Sequence, residues 1–235
     1  MRKLRYSFQV RRLRLAHWLA HGNVRGGRAI SMNLMAGFIL VGGASSRMGT
    51  DKAALLLEGR TFVQRIAEEL LAVTDSVTLI GKDSGQLQLN LPSASDAYEN
   101  WGALGGVHAA LSVSQSPWSL IVACDLPFVT AGLFARLAGL REDFEAVAAI
   151  QKDGRPQPLA ALYRNDPCLV RADQLIKSGE RRPIALLQSV RTRWTPFSEL
   201  QELPGAEHLF DNINTPQDYE QASGKGDTIQ AAGMT

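Results

Sequence analysis

Short apolar runs alternate with segments of helical periodicity along most of the chain. Continuous apolar runs of four to six residues are typical of strands buried on both faces of a parallel sheet. Three such runs and three further extended segments predict strands at 37–41, 77–80, 118–123, 146–150, 158–163 and 191–197. The regular pattern begins at Met35 and continues to about residue 222.

The segments between these runs repeat their apolar residues at helical spacing. The clearest example follows Thr61, where Phe62, Ile66 and Leu70 fall on one helical face. Thr130 and Thr215 precede two other helical segments and are suitable N-caps. The pattern predicts helices from Thr61, over 104–113, 130–140, 167–178 and 183–189, and from Pro216. It also predicts a small extended turn at 55–60 and a loop over 83–102.

This order of elements predicts an α/β fold with a mostly parallel central sheet and helices on both faces. Ligands of such sheets bind at the carboxyl ends of the strands, where the strand order switches. We therefore expect the chemistry in the loops that follow Val41, Ile80 and Ala123.

The predicted domain occupies residues 34–222, between an N-terminal extension (1–33) and a C-terminal tail (223–235). Residues 1–31 hold eight of the 25 Lys and Arg and no acidic residue. This basic arm is consistent with a flexible extension translated from an upstream start codon, with a targeting segment, or with binding to nucleic acid or an acidic membrane surface. We expect the arm to be flexible and without a role in the fold.

The rest of the chain carries 17 basic against 23 acidic residues, which argues against a nucleic-acid-binding body. No apolar run reaches the roughly 18 residues that span a bilayer. Two cysteines, Cys124 and Cys168, are too few for a disulfide framework or a four-ligand zinc site. We therefore expect a cytoplasmic protein that acts without nucleic acid or membrane.

The loop after the first strand is rich in glycine and carries two cations. Gly42 and Gly43 follow Leu40-Val41, and Arg47 and Lys52 come within ten residues. Paired glycines allow backbone N–H groups to approach an anion, and the two cations add positive charge. The spacing matches neither the P-loop nor the G-x-G-x-x-G dinucleotide motif. We interpret the loop as a phosphate-binding site.

Two more loops carry candidate residues. Asp125 ends the third strand, where a carboxylate can hold Mg²⁺ while phosphates and water complete the coordination. Asp96 lies shortly before Gly102 and a predicted helix. Its carboxylate could accept hydrogen bonds from the N–H groups of a guanine base or from ribose hydroxyl groups, and the glycine lets a base or ribose approach the backbone closely. An aspartate in this position is by itself more commonly a turn or helix-cap residue. The assignment of Asp125 to metal binding therefore depends on the presence of the phosphate loop in the same sequence.

Taken together, these motifs resemble the molybdenum cofactor guanylyltransferases, within the wider group of Rossmann-like nucleotidyltransferases. The resemblance spans about residues 35–222. The segments that carry it are Leu40-Val41-Gly42-Gly43, Ser46-Arg47-Met48-Gly49-Thr50-Asp51-Lys52, Gly102-Ala103-Leu104-Gly105-Gly106-Val107, Cys124-Asp125-Leu126-Pro127-Phe128, Gln157-Pro158-Leu159-Ala160-Ala161-Leu162-Tyr163 and Phe210-Asp211-Asn212-Ile213-Asn214-Thr215-Pro216-Gln217-Asp218.

The resemblance implies transfer of GMP from GTP to the terminal phosphate of molybdopterin, with release of pyrophosphate. It implies catalytic roles for Arg47, Lys52 and Asp125, with Mg²⁺ on Asp125. It implies nucleotide contacts at Leu40, Val41, Gly42, Gly43, Lys52, Asp96, Gly102 and Asp125. It implies that Asn212 and Asn214 face the acceptor or the metal. Gln157 is a further candidate for contact with the acceptor phosphate, and an ordinary strand entry is an equal alternative for it. Partners implied are GTP, molybdopterin, and proteins that insert molybdenum or accept the finished cofactor.

Two features depart from the family pattern: Ala103 stands where many members have Pro, and the spacing from Asp96 to Gly102 is one residue short. Three other functions remain open at this stage. These are a molybdopterin cytidylyltransferase, a sugar-phosphate nucleotidyltransferase, and a GTP-binding sensor without catalytic activity. The fold and the phosphate loop do not discriminate among them, because substrate choice depends on a few contacts to the base.

Overall fold

The computed structural model describes residues 34–41, 55–81, 89–95, 98, 101–213, 215 and 217–220. The N-terminal extension, the phosphate loop and the C-terminal tail lie outside the described residues. No helix in the described part of the chain is long and apolar enough to cross a membrane.

The strands are β1 (Met35–Leu40), β2 (Leu56–Leu57), β3 (Arg60–Thr61), β4 (Val77–Ile80), β5 (Ser93–Ala94), β6 (Trp118–Ala123), β7 (Ala146–Ile150), β8 (Pro156–Arg164) and β9 (Thr192–Thr195). The helices are α1 (Phe62–Leu71), α2 (Ala103–Val113), α3 (Ala131–Gly139), α4 (Asn165–Lys177) and α5 (Pro183–Ser189). Two short 3₁₀ helices, Phe197–Glu199 and Ala206–His208, follow β9, and a helical turn occupies 217–220.

Seven strands form one sheet in the order β5-β4-β1-β6-β8-β7-β9, and β2 pairs with β3 in a small hairpin. Strand β8 runs antiparallel to both of its neighbours, β6 and β7, while the other pairs of the large sheet are parallel. The predicted mostly parallel α/β fold is therefore confirmed.

The strand periodicity of two divides the core between the faces of the sheet. In β1, Ile39 packs in one apolar cluster with α1 and α3. Its neighbours Phe38 and Leu40 pack on the opposite face with α2, α4 and α5. A continuously apolar strand is needed here because helices cover both of its faces.

Local signals placed several helix ends correctly. Thr61 and Gln64 form a capping box at the start of α1, and Thr130 caps α3 by accepting from the Leu133 N–H. Thr215 and Asp218 exchange the same pair of bonds at the last helical turn. These bonds satisfy N–H groups that have no partner within the helix.

The structure corrects several boundaries. The predicted loop over 83–102 contains β5, a two-residue edge strand too short to show periodicity. Helix α4 begins at Asn165, two residues before the prediction, because Pro167 falls in the first turn, where a missing N–H costs no helical bond. Strand β8 is longer than predicted at both ends, and β9 ends before Pro196.

Candidate active site

The loops predicted to carry the chemistry start from neighbouring points on the sheet. The Val41 N–H donates to the Ile80 carbonyl (2.9 Å), and the Gly81 N–H donates to the Ala94 carbonyl (3.0 Å). On the other side of β1, the Cys124 N–H donates to the Leu40 carbonyl (3.1 Å). The carboxyl ends of β5, β4, β1 and β6 are thus held together at one edge, as the sheet rule requires.

Helix α2 begins beside this edge and approaches β1 closely. A Cβ atom at Gly106 would lie 3.3 Å from Cδ1 of Leu40, tighter than ordinary van der Waals contact. Leu40 is only 7% exposed, so its side chain supports α2. Glycine at position 106 therefore allows the start of α2 to lie against the end of β1.

Gly102 is the N-cap of α2 and adopts a positive φ of 78°. This left-handed region is accessible to glycine at little cost. Open space surrounds the position where its Cβ would be, and the residue is exposed. Because a helix start leaves its first N–H groups without intrahelical partners, α2 offers donors at this edge.

Asp125 lies in a tight turn directly after β6. The Leu126 N–H closes the turn onto the Ala123 carbonyl (3.3 Å). Leu126 and Pro127 are buried, whereas Asp125 is half-buried. The Ile213 N–H donates to the Asp125 carbonyl at 3.0 Å. The backbone around this carboxylate is therefore fixed from both sides.

A small apolar cluster, which we call the satellite core, holds the Asp125 turn against the end of the domain. It consists of Leu57, Phe62, Phe128 and Ile213, with Leu55 and Tyr219 packed against it. The Tyr219 hydroxyl donates to the Leu56 carbonyl. Asn212 immediately precedes Ile213 and is exposed, so the satellite core brings it next to the Asp125 turn.

Gln157 lies at the same edge because β8 is antiparallel to β6. The pair of these strands nearest the edge is Val122–Ala160. Three residues beyond this pair in the direction of the edge lie Asp125, after β6, and Gln157, within β8. The Gln157 side chain is 7% exposed, and its Oε1 accepts from the Leu159 N–H (3.2 Å).

A cavity of about 430 Å³ opens beside Asn212. One wall is the β7–β8 hairpin, with Lys152, Asp153 and Arg155, and the opposite wall includes Phe210 and Asp211. Lys152 forms an ion pair with Glu207 across the cavity (2.8 Å), and Arg155 pairs with Asp153 (2.6 Å). The cavity is therefore polar, with charges of both signs along its walls.

The chemistry of Asp125 is suited to a magnesium ion held mainly by its substrate. Among the described residues, no three His, Cys, Asp or Glu side chains converge as a potential metal cluster. Mg²⁺ does not require such a cluster, because one or two carboxylates, substrate phosphates and water complete its octahedron. A half-buried carboxylate on a fixed turn fits that requirement.

The structure brings together Leu40, Val41, Gly102, Asp125, Gln157 and Asn212 at one edge of the sheet. The other predicted site residues, namely Gly42, Gly43, Arg47, Lys52, Asp96 and Asn214, lie outside the described residues.

Two supporting features of the site were not predicted from the sequence. One is the satellite core, whose contacts join residues far apart in the chain, such as Leu56 and Tyr219. The other is a set of contacts that join the segment preceding α2 to α4 and the turn that follows α4. They are made by Tyr98, Trp101 and Arg181, and we call this set the aromatic clasp. The available signal for the clasp was a tryptophan directly before Gly102, in an otherwise polar loop.

Comparisons with known proteins agree with this geometry. The family model of the MobA-like NTP transferase domain matches residues 37–193. A probable molybdenum cofactor guanylyltransferase of Carboxydothermus hydrogenoformans is 32% identical, over 78% of this chain and 92% of that protein. The molybdenum cofactor guanylyltransferase of Vibrio cholerae is 30% identical, over 78% of this chain and 88% of that protein.

A solved structure has the same fold. The molybdopterin-guanine dinucleotide biosynthesis protein A from Archaeoglobus fulgidus superposes with a TM-score of 0.71 at 23% identity, covering 83% of this chain and all of that one. The family match and the sequence relatives together settle the classification. The chain belongs to the MobA-like NTP transferase family.

Proposed function

We propose that this enzyme transfers GMP from GTP to the terminal phosphate of molybdopterin, forming the guanine dinucleotide cofactor and pyrophosphate. Relatives at 30–32% identity carry the name molybdenum cofactor guanylyltransferase. The observation that carries the assignment is the position of Asp125. It lies where the end of β1 and the segment at 212–213 meet, through the Cys124–Leu40 and Ile213–Asp125 backbone bonds.

The reaction requires position and charge more than covalent help from the protein. An oxygen of the acceptor phosphate attacks the α-phosphorus of GTP, and the bond from that phosphorus to the β-phosphate oxygen breaks. The electron pair leaves with pyrophosphate. Preorganised positive charge near the bridging oxygen and the leaving group lowers the barrier. We assign that charge to Arg47 and Lys52.

Two groups of residues divide the substrates between them. The nucleotide side of the site consists of Leu40, Val41, Gly42, Gly43, Lys52, Asp96, Gly102 and Asp125. Gln157, Asn212 and Asn214 form the acceptor side. The support for this division is the sheet order, because β1 lies on one side of β6, the strand that Asp125 follows, and β8 lies on the other side.

Mg²⁺ is the metal we assign to Asp125. When bound, it would supply positive charge to the phosphates and help to orient them. The support for this assignment is the turn of Asp125, whose backbone is bonded at both ends and whose neighbours Leu126 and Pro127 are buried, so that the point from which the side chain projects is fixed.

The cytoplasm is the compartment we assign to this reaction, and both cysteines are free thiols, as expected in a reducing environment. Proteins that insert molybdenum or accept the finished cofactor are the partners we propose.

Product analysis with four nucleotides tests the proposal. Purified protein is incubated with Mg²⁺, molybdopterin and one of GTP, CTP, ATP or UTP, and the products are identified by mass. We expect the dinucleotide from GTP, together with pyrophosphate. A preference for CTP would replace guanylyl with cytidylyl transfer. Tight GTP binding with no product from any nucleotide would indicate a sensor.

A further inference from the structure

We propose that Trp101 is a positioning residue for the nucleotide: through the aromatic clasp it fixes the start of α2, and hence Gly102, relative to the end of β1. The inference rests on the proposed function in one respect only, namely that Gly102 lies on the nucleotide side of the site. It adds a residue that neither the motifs nor the expected site includes.

Two contacts of the Trp101 side chain reach across the domain. Its indole Nε1–H donates to the Glu180 carbonyl at 2.8 Å. The Arg181 guanidinium carbon lies 4.5 Å from the centre of the indole ring, within the range of a cation–π contact. The segment before α2 is thus held by a turn about 80 residues further along the chain.

The turn that receives these contacts is itself closed by several hydrogen bonds. The Glu180 carboxylate accepts from the backbone N–H groups of Arg181 (2.8 Å) and Arg182 (2.9 Å). It also pairs with the Arg182 guanidinium at 2.7 Å. The Glu180 N–H closes back onto the Leu175 carbonyl of α4 (3.0 Å). Trp101 is therefore anchored to backbone whose position is fixed.

Tyr98 attaches the same segment at a second point. Its hydroxyl lies 3.1 Å from Oδ1 of Asp173 on α4, and its ring meets the His108 ring edge-on at 4.9 Å. The backbone N–H of Trp101 donates to the Tyr98 carbonyl at 3.1 Å, and this bond joins the two anchors. Two anchors on α4 and its following turn define the direction in which the chain enters α2.

These anchors hold the point where the chain enters α2, which has no side-chain cap. Gly102 has no side chain with which to cap the helix, and because glycine lacks a Cβ its backbone is freer than that of other residues at this positive φ. Leu104 in the first turn is fully buried, and Gly106 lies close to Leu40, so the core holds the helix from its first turn onward. Trp101 therefore sets the position of Gly102, the exposed residue that precedes this buried turn. A displacement of about 1 Å at such a position is enough to weaken binding or slow a reaction.

Three substitutions separate the two contacts. Trp101→Leu removes both the indole hydrogen bond and the ring. Trp101→Phe keeps a ring beneath Arg181 but removes the hydrogen bond, and Arg181→Met removes the charge alone. Trp118→Leu is the matched control, because Trp118 begins β6, at the end of the strand opposite to Asp125.

The test combines equilibrium binding of GTP by calorimetry with steady-state kinetics. We expect Trp101→Leu to raise both the dissociation constant and KM for GTP about tenfold, with kcat lowered less than threefold. Trp101→Phe and Arg181→Met should each give about a threefold increase in the dissociation constant, the size of one such contact. The control should leave the GTP dissociation constant unchanged.

The outcomes distinguish this inference from the proposed function. A GTP dissociation constant equal in wild type, Trp101→Leu and Trp101→Phe would overturn the positioning role, and so would a loss confined to kcat or to thermal stability. Should Trp101→Leu fail to fold, the Phe and Met variants decide on the same criterion. Binding of CTP in preference to GTP by the wild type would instead contradict the proposed nucleotide, and the same comparison of variants would then be made with CTP.

Discussion

The candidate site is supported in two different ways on its two sides. The aromatic clasp holds the start of α2 with hydrogen bonds and a cation–π contact, and its Trp101 and Tyr98 are only partly buried. The satellite core holds the Asp125 turn with Leu57, Phe62, Phe128 and Ile213, all of them buried. One support combines polar contacts with aromatic rings that are partly buried against the main core, and the other is apolar and buried.

The difference has a consequence for how the protein responds to change. Burial of apolar side chains contributes most of the favourable free energy of folding, so damage to the satellite core should lower stability and activity together. The clasp is only partly buried, so damage to it should change nucleotide affinity and should lower stability less than damage to the satellite core. The predictions below test this contrast, beginning with the residue that the satellite core positions.

Asp125→Asn should have the largest effect on turnover. We expect kcat/KM to fall at least ~100-fold, because the carboxylate assigned to hold Mg²⁺ at the phosphates is lost while the turn keeps its shape. Pyrophosphate release measures the effect. Asp166→Asn, an exposed change in the first turn of α4, is the control and should retain normal turnover. Turnover near the parental rate in Asp125→Asn would remove the metal role from this residue.

Ile213→Ala should have the largest effect on stability. Truncating a buried Ile creates a cavity in the satellite core and should lower the free energy of unfolding by about 2–4 kcal/mol. Activity at a temperature where the variant is folded should also fall. The reason is that the backbone of residue 213, whose N–H donates to the Asp125 carbonyl, loses the packing that holds it in place. Urea unfolding gives the free energy, and Val170→Ala, at an exposed valine, is the control. Lost stability with fully retained activity would show that Asp125 is positioned by other contacts.

Substitutions at Gly106 and Gly132 distinguish the effect of close packing on stability from the effect of helix propensity. A Cβ at Gly106 would press on Leu40, whereas one at Gly132 in α3 would meet its nearest neighbour, Leu203, at an ordinary 3.5 Å. We expect Gly106→Val to destabilise by about 1–3 kcal/mol and to weaken GTP binding. Gly132→Ala should stabilise by up to about 1 kcal/mol. Thermal unfolding of both variants measures these effects, and equal stabilities would contradict the tight α2–β1 contact.

Glu180→Gln should have the smallest effect, visible as a change with pH. The hydrogen bonds from Arg182 and the backbone lower the pKa of Glu180 from 4.5 to about 2. A lowered pKa in the folded state stabilises the protein above pH 4.5, and this contribution is lost as the pH falls towards 2. The difference in Tm between wild type and variant should therefore be greatest above pH 5 and should shrink below pH 4.5. A difference that stays constant from pH 7 to 3 would show that the carboxylate charge is not involved.

Local signals were sufficient to predict most strands of the sheet and the edge at which several candidate residues meet. A continuously apolar run fixes a strand buried on both faces, and the residue that follows it, such as Asp125, then lies at the carboxyl edge. N-caps such as Thr61 and Thr130 depend on residues three positions away, so the sequence shows them directly.

The features that escaped prediction depend on contacts between distant segments. The Trp101–Glu180 bond joins residues 79 positions apart and depends on how α2 packs against α4 and α5. The satellite core likewise forms only when β2, α1, the segment after β6 and the end of the domain have been brought together. Strand β5 is a third example, because two residues show no periodicity and pair only because β4 presents a free edge.

The most direct test of guanylyl transfer at this site follows the phosphorus atoms of GTP. GTP labelled at the α-phosphorus, or separately at the γ-phosphorus, is incubated with the enzyme, Mg²⁺ and molybdopterin. We predict that the α-label appears in the dinucleotide and the γ-label in pyrophosphate, in equal amounts, and that Asp125→Asn loses both. A γ-label in the pterin product, or an α-label that remains in free nucleotide, would contradict nucleotidyl transfer.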